Sequence, residues 1–160
     1  EGFEFDGIWL WGDVAYKNGP LISPSMYREL LMPFHKRISD AIHSKGGKLI
    51  YHGCGNNNLL MPAFVEAGID CLQPLEVKAG MDVRELKSQY GSVMSFMGNI
   101  DARLFQSNNL EGLEKEIREK VSIAKVGGGY IFHSDHSIPP GTEFKTYQYA
   151  MELVEKYGSY

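Results

Sequence analysis

Apolar residues along the chain follow two alternating rhythms. Short, near-continuous runs rich in β-branched and aromatic residues read as strands at 5–13 (FDGIWLWGD), 48–52 (KLIYH), 70–76 (DCLQPLE), 93–99 (VMSFMGN) and 130–134 (YIFHS). Between them, apolar positions recur at three- and four-residue spacing. The first helical stretch, 22–47, carries Tyr27, Leu30, Leu31, Phe34, Ile38, Ala41 and Ile42 at that spacing. Ser23 is placed to cap it, and Pro24 sits in its first turn, where the missing N–H costs nothing. Pro33 in its interior predicts a kink, and Gly46-Gly47 a stop. Further helices are expected at 59–68, 82–91 and 110–126, the last with a stripe of Leu110, Leu113, Ile117, Val121 and Ala124. A short turn is expected at 101–106. A final helix is expected at 142–157 with Phe144, Tyr147, Met151 and Val154 on one face.

This order is five βα units in one domain, residues 1–160. Repeated βα units with right-handed crossovers build a parallel sheet. Strands that are apolar throughout fit a sheet covered on both faces. No glycine-rich dinucleotide fingerprint follows any strand, which counts against a Rossmann domain. Each strand instead ends in polar, ligand-type residues: Asp13; His52-Gly-Cys54; Gln73-Pro-Leu-Glu76; Gly98-Asn99-Ile-Asp101; and His133-Ser-Asp135-His136. A (β/α)8 barrel places its active site at the C-terminal ends of its strands. Eight strands are needed to close a barrel, so the expected fold is α/β, a partial TIM barrel made of the C-terminal five βα units. Its N-terminal strands would lie outside this chain.

Composition narrows the function. At 43% hydrophobic and 22% charged residues, the chain has an ordinary globular balance. A net charge of -4 with scattered Lys and Arg argues against a nucleic-acid surface. No apolar run reaches the ~20 residues of a membrane span. The chain opens on Glu1 with no signal peptide and no initiating Met, as a piece of a longer protein would. Two cysteines make no disulfide framework, so a reducing cytoplasm is expected.

Candidate chemistry starts from His52-Gly-Cys54. Residues i and i+2 of a strand point to one side, so imidazole and thiol converge on one space, which suits zinc. A tight turn holding a satisfied His and a half-buried Cys is the plainer alternative. A Cys–His nucleophilic pair is a third, but it needs an oriented base and an oxyanion hole. The loop 132–141 (FHSDHSIPPG) offers His136 as a third metal ligand. Asp135 is the alternative ligand, or a carboxylate that orients an imidazole; the same loop can also simply cap the next helix. Glu76 and Asp135 are the candidate catalytic carboxylates. Asp13, Asn99 and Asp101 are candidate substrate contacts at the mouth, with Asp101 equally able to cap the turn after it. Cys71 reads as a core residue. His35 and His43 read as surface residues, and Trp9, Trp11 and Tyr16 as core or rim aromatics.

The segments 19–56 (GPLISPSMYRELLMPFHKRISDAIHSKGGKLIYHGCGN), 67–76 (AGIDCLQPLE), 96–101 (FMGNID) and 127–147 (GGGYIFHSDHSIPPGTEFKTY) together resemble the uroporphyrinogen decarboxylase superfamily. This superfamily also contains cobalamin-dependent methyltransferases that act with coenzyme M and similar thiols. The resemblance covers nearly the whole chain in order, and it implies a barrel of roughly twice this length. The methyltransferase branch carries His-x-Cys at the position of His52-Gly-Cys54 and uses it for zinc. The decarboxylase branch lacks it and works without a metal. His136 falls where the methyltransferases usually have a cysteine ligand and the decarboxylases a histidine. The resemblance thus implies zinc on His52, Cys54 and His136, a small thiol substrate, and methylcobalamin or another methylcorrinoid, carried by a corrinoid protein, as methyl donor. The alternative it implies is cofactor-free decarboxylation of a tetrapyrrole. A third expectation is an inactive fragment that forms a homo-oligomer through its open sheet edge.

Overall fold

The structure, a computed structural model, describes residues 5–159. Five parallel strands form the central sheet: β1 (Gly7–Trp11), β4 (Lys48–His52), β5 (Cys71–Gln73), β6 (Ser95–Met97) and β7 (Tyr130–Ile131). They lie side by side in chain order, as five consecutive βα units require. A two-stranded hairpin, β2 (Ala15–Tyr16) with β3 (Gly19–Pro20), follows β1 and escaped the apolar pattern because each strand has only two residues.

The expected long helix is two. Helix α1 (Pro24–Leu30) ends at Leu31, and α2 (Met32–His43) begins there with Pro33 in its first turn. The break is the expected kink carried further: Pro33 has no N–H to continue the α1 ladder. Ser23 caps α1 as expected, its Oγ accepting from the Met26 N–H at 3.1 Å. Helices α3 (Met61–Glu66), α4 (Val83–Tyr90) and α6 (Leu110–Ala124) follow their predicted positions. The turn expected at 101–106 is a short helix, α5 (Ala102–Gln106), capped by Asp101, whose Oδ1 accepts from the Arg103 N–H at 2.9 Å. Among the described residues, no helix is long and apolar enough to cross a membrane.

Cover is uneven across the sheet: β1 is exposed along most of its length, β5 is buried throughout, and β4 is covered on one face. On β4, Leu49 and Tyr51 are fully buried, whereas Ile50 and His52 on the opposite face are only partly covered. The buried core runs from Tyr27, Tyr51 and Phe64 through Leu72 and Phe96, with a second cluster of Ile100, Phe105, Leu113, Ile117 and Leu153 under α6 and the last helix. The last helix, α7 (Phe144–Gly158), corrects the stripe read from its sequence. Its buried residues are Thr146, Ala150 and Leu153, while Phe144 and Tyr147 face outward. Packing against α6 selects that face.

Candidate metal centre

β4 delivers His52 and Cys54 to the C-terminal edge of the sheet. The loop between them and α3 is tightly shaped. Gly55 has φ +87, and a Cβ there would stand 2.7 Å from the Ala15 carbonyl carbon. Only glycine lets the loop approach the β2–β3 hairpin so closely. Asn57 then gathers the loop from within, its amide nitrogen donating to the carbonyls of Gly53, Cys54 and Gly55 at 2.9–3.3 Å.

His52 Nε2 and Cys54 Sγ are 3.6 Å apart, so the same-side geometry expected of i and i+2 is present. A third ligand-type group joins them: Asp13 Oδ1 lies 3.8 Å from His52 Nε2 and accepts the Cys54 N–H at 2.9 Å. One ligand atom from each of Asp13, His52 and Cys54 falls within 4.8 Å of the others, the arrangement of a candidate cation site. Strand order explains why Asp13 is the partner. It leaves β1, the hydrogen-bonded neighbour of β4, with Trp11 opposite His52 in register. His136, expected as the third ligand, follows β7, three strand spacings or roughly 14 Å along the sheet from β4. It is exposed and lines an adjacent cavity instead.

Gln73 sits opposite His52 in the parallel β4–β5 register, and its Oε1 is hydrogen-bonded to His52 Nδ1. A carbonyl oxygen can only accept, so Nδ1 carries the proton and Nε2 presents its lone pair to Sγ and Asp13. This outer hydrogen bond fixes the tautomer a metal-binding imidazole needs. Burial pushes the Cys54 thiol up to about 11, and the carboxylates of Asp13 and Glu76 add to the shift. At neutral pH and without a cation, the sulfur therefore keeps its proton, which disfavours a Cys–His nucleophile and suits a site completed by positive charge.

The other strand-end residues are engaged with backbone groups of neighbouring loops. Glu76 is buried. Its Oε2 accepts the Gly55 N–H at 2.7 Å and its Oε1 pairs with Lys78 at 3.1 Å, so it holds the loop after β4 from the end of β5. Asp135 is also buried, its two oxygens accepting from Val77 N–H and Ala102 N–H at 2.8 Å. Burial raises its carboxyl, and the nearby Asp101 and Glu76 carboxylates act the same way against those two hydrogen bonds. Asp101 caps α5 and forms a bidentate pair with Arg103. Asn99, expected as a substrate contact, is fully buried. Its amide donates to the carbonyls of Leu75 and Met81 and accepts from the Val83 N–H. It braces the loops after β5 and β6, since a side chain with no exposed surface and three backbone partners has none left for a substrate.

Cys71 is buried as expected. His43 is exposed and paired with Asp70, but His35 is half-buried, hydrogen-bonded to the Tyr27 hydroxyl at 2.6 Å. Trp11 is 69% exposed and stacks beside His52 at 6.3 Å, a rim aromatic rather than a core one. The sequence reading assigned no role to Gln73, Lys78 or Arg103. For Gln73, the missing signal was the β4–β5 register.

The chain matches the family model of uroporphyrinogen decarboxylase (URO-D) over residues 10–157. It is 29% identical to uroporphyrinogen decarboxylase of Streptomyces avermitilis over 126 residues, 76% of this chain and 33% of that protein. It is 33% identical to the methylated-thiol–coenzyme M methyltransferase of Methanosarcina mazei over 81 residues, 51% of this chain and 20% of that protein. A solved methyltransferase structure from Methanosarcina mazei superposes with a TM-score of 0.69 at 21% identity, covering 96% of this chain and 43% of that one. The chain spans about a third of the length of the first three decarboxylases it matches. The five-stranded parallel sheet, and a family match across nearly the full length, place this chain in the uroporphyrinogen decarboxylase family.

Proposed function

We propose that Asp13, His52 and Cys54 hold a zinc ion and that the whole protein transfers a methyl group to a small thiol. The observation that carries this reading is the convergence of an imidazole nitrogen, a thiol sulfur and a carboxylate oxygen within 4.8 Å. Nitrogen, sulfur and oxygen ligands together match the donor preference of zinc, and three protein ligands leave a position open. When bound, zinc supplies the positive charge that deprotonates a thiol at neutral pH. The chain's own residues do the rest. Gln73 orients the imidazole, Asp13 ties the Cys54 backbone to β1, and Glu76 pins Gly55, so the loop is held in place before any metal arrives. The methyl donor in this reading is a methylcorrinoid presented by a partner protein; the relative named as a methylated-thiol–coenzyme M methyltransferase supports methyl transfer to a thiol.

Elemental analysis of the purified chain after zinc loading tests this. One zinc per chain is expected, falling to near zero in Cys54→Ala and His52→Ala. Zinc content unchanged by Cys54→Ala would sink the reading.

A second reading, decarboxylation of a porphyrinogen, is favoured by the decarboxylases among the relatives, which match over 76–80% of the chain against 51% for the methyltransferase. Product analysis with uroporphyrinogen and the full-length protein separates the two.

A further inference from the structure

Beside the Asp13–His52–Cys54 cluster lies a cavity of about 150 Å3, walled in part by Glu76, Lys78, Asp101, Arg103, Asp135 and His136. Glu76 belongs to both places. Its Oε2 holds the Gly55 N–H next to Cys54, and its Oε1 faces Lys78 across 3.1 Å. Glu76, Lys78 and Asp135 of the cavity wall all act electrostatically on the Cys54 thiol, so the cavity and the cluster are neighbours.

Size and charge limit what the cavity takes. Its volume is below the ~300–1,000 Å3 typical of sites for drug-sized ligands, so it suits a small molecule. Its charges are layered. Glu76, Asp101 and Asp135 are buried, with 8%, 8% and 3% exposure, while the side chains of Lys78 and Arg103 are 53% and 63% exposed at the rim. Arg103 gives Nε and one Nη to Asp101, and its other Nη has no protein partner among the described residues. A guest bearing only an acidic group would meet the two rim cations but would also face three buried carboxylates. A guest bearing only an ammonium would leave the open Nη of Arg103 unmatched. The complementary guest carries both charges, its ammonium toward the buried carboxylates and its carboxylate toward the rim.

We propose that the thiol substrate is an α-amino acid, a zwitterion whose charged end this cavity receives. The proposal rests on the thiol-binding reading above and names its substrate class.

Calorimetric titration of the zinc-loaded chain with four thiols tests it: L-homocysteine, cysteamine, 3-mercaptopropionate and 2-mercaptoethanesulfonate. L-homocysteine is expected to bind at least about tenfold more tightly than each of the other three, the scale of one charge-assisted hydrogen bond. Arg103→Gln and, separately, Lys78→Gln are expected to weaken it about tenfold while leaving cysteamine unchanged. Each variant leaves a buried carboxylate, Asp101 or Glu76, without its cation, so a thermal melt matching that of the parent chain is the control for folding. Titrating the metal-free chain with L-methionine, which has no free thiol, reads the cavity alone. If zinc uptake fails but L-methionine still binds in an Arg103-dependent way, the metal reading falls and the cavity assignment stands. If zinc binds but 2-mercaptoethanesulfonate equals or exceeds L-homocysteine, or if both variants bind L-homocysteine like the parent chain, the zwitterion proposal is overturned.

Discussion

His52 has two ring nitrogens, and its chemistry depends on which one carries the proton. The Gln73 carbonyl decides this by accepting from Nδ1, leaving Nε2 beside Cys54 Sγ. Gln73→Leu keeps the volume and removes the acceptor. It is expected to weaken zinc affinity roughly 10–100-fold, the usual effect of losing such an outer partner, as read by competition with a chromophoric chelator. An unchanged affinity would mean that the hydrogen bond plays no part in metal binding. Asn99 works through backbone instead. It adopts φ +70 and satisfies one N–H and two carbonyls, all under cover. Asn99→Ala orphans these buried groups and is expected to cost roughly 2–4 kcal/mol in denaturant unfolding. A loss below ~1 kcal/mol would contradict the bracing role.

Helices α6 and α7 are joined at Glu114. Its carboxylate accepts from the hydroxyls of Tyr149 and Tyr157 at 2.8 and 2.9 Å and pairs with Lys156 at 3.1 Å. These partners, the Tyr149 hydrogen bond foremost, hold the Glu114 carboxyl down at about 2, against 4.5 ordinarily. A depressed carboxyl contributes stability that is present above pH 4.5 and is lost as the pH falls through about 2. Glu114→Gln, which cannot ionise, is expected to flatten the acid limb of the stability profile between those values. Thermal melts across that range check this, and an acid limb identical to that of the parent chain would remove Glu114 as its source. The α5 segment makes a related point at the level of the element. It was expected as a turn because five residues carry too little periodicity to show a helix, yet the Asp101 cap and the Phe105 anchor are enough to form one.

At the scale of the molecule, the sheet has two ends. Among the described residues, β1 and β7 each pair on one side only. On these strands Trp9 is 51% exposed, with Ile8 and Ile131 also open. Unpaired edges with apolar flanks invite pairing with another chain. The isolated chain is therefore expected to self-associate, with an apparent mass that rises with concentration in light scattering. Ile8→Lys, a charge on the β1 edge, is expected to shift it toward monomer. A monomer at all concentrations in the parent chain would argue against edge-driven assembly.

Read alone, the sequence determined the alternation of five strands and their helices, because burying apolar residues on a sheet leaves a period that survives in one dimension. It also determined the gathering of polar residues at strand ends, and the His52–Cys54 pair, whose geometry is local to one strand. What it left open depends on neighbours distant in the chain. Asp13 rather than His136 meets the pair because β1, not β7, is hydrogen-bonded to β4. Gln73 reaches His52 because register places them opposite each other. Asn99 is a brace because the chain between Leu75 and Val83 closes over it, and α7 buries Ala150 and Leu153 because α6 lies on that side. Periodicity reports which residues seek cover, whereas strand order and register decide which partner covers them, and those are set only when the whole sheet assembles.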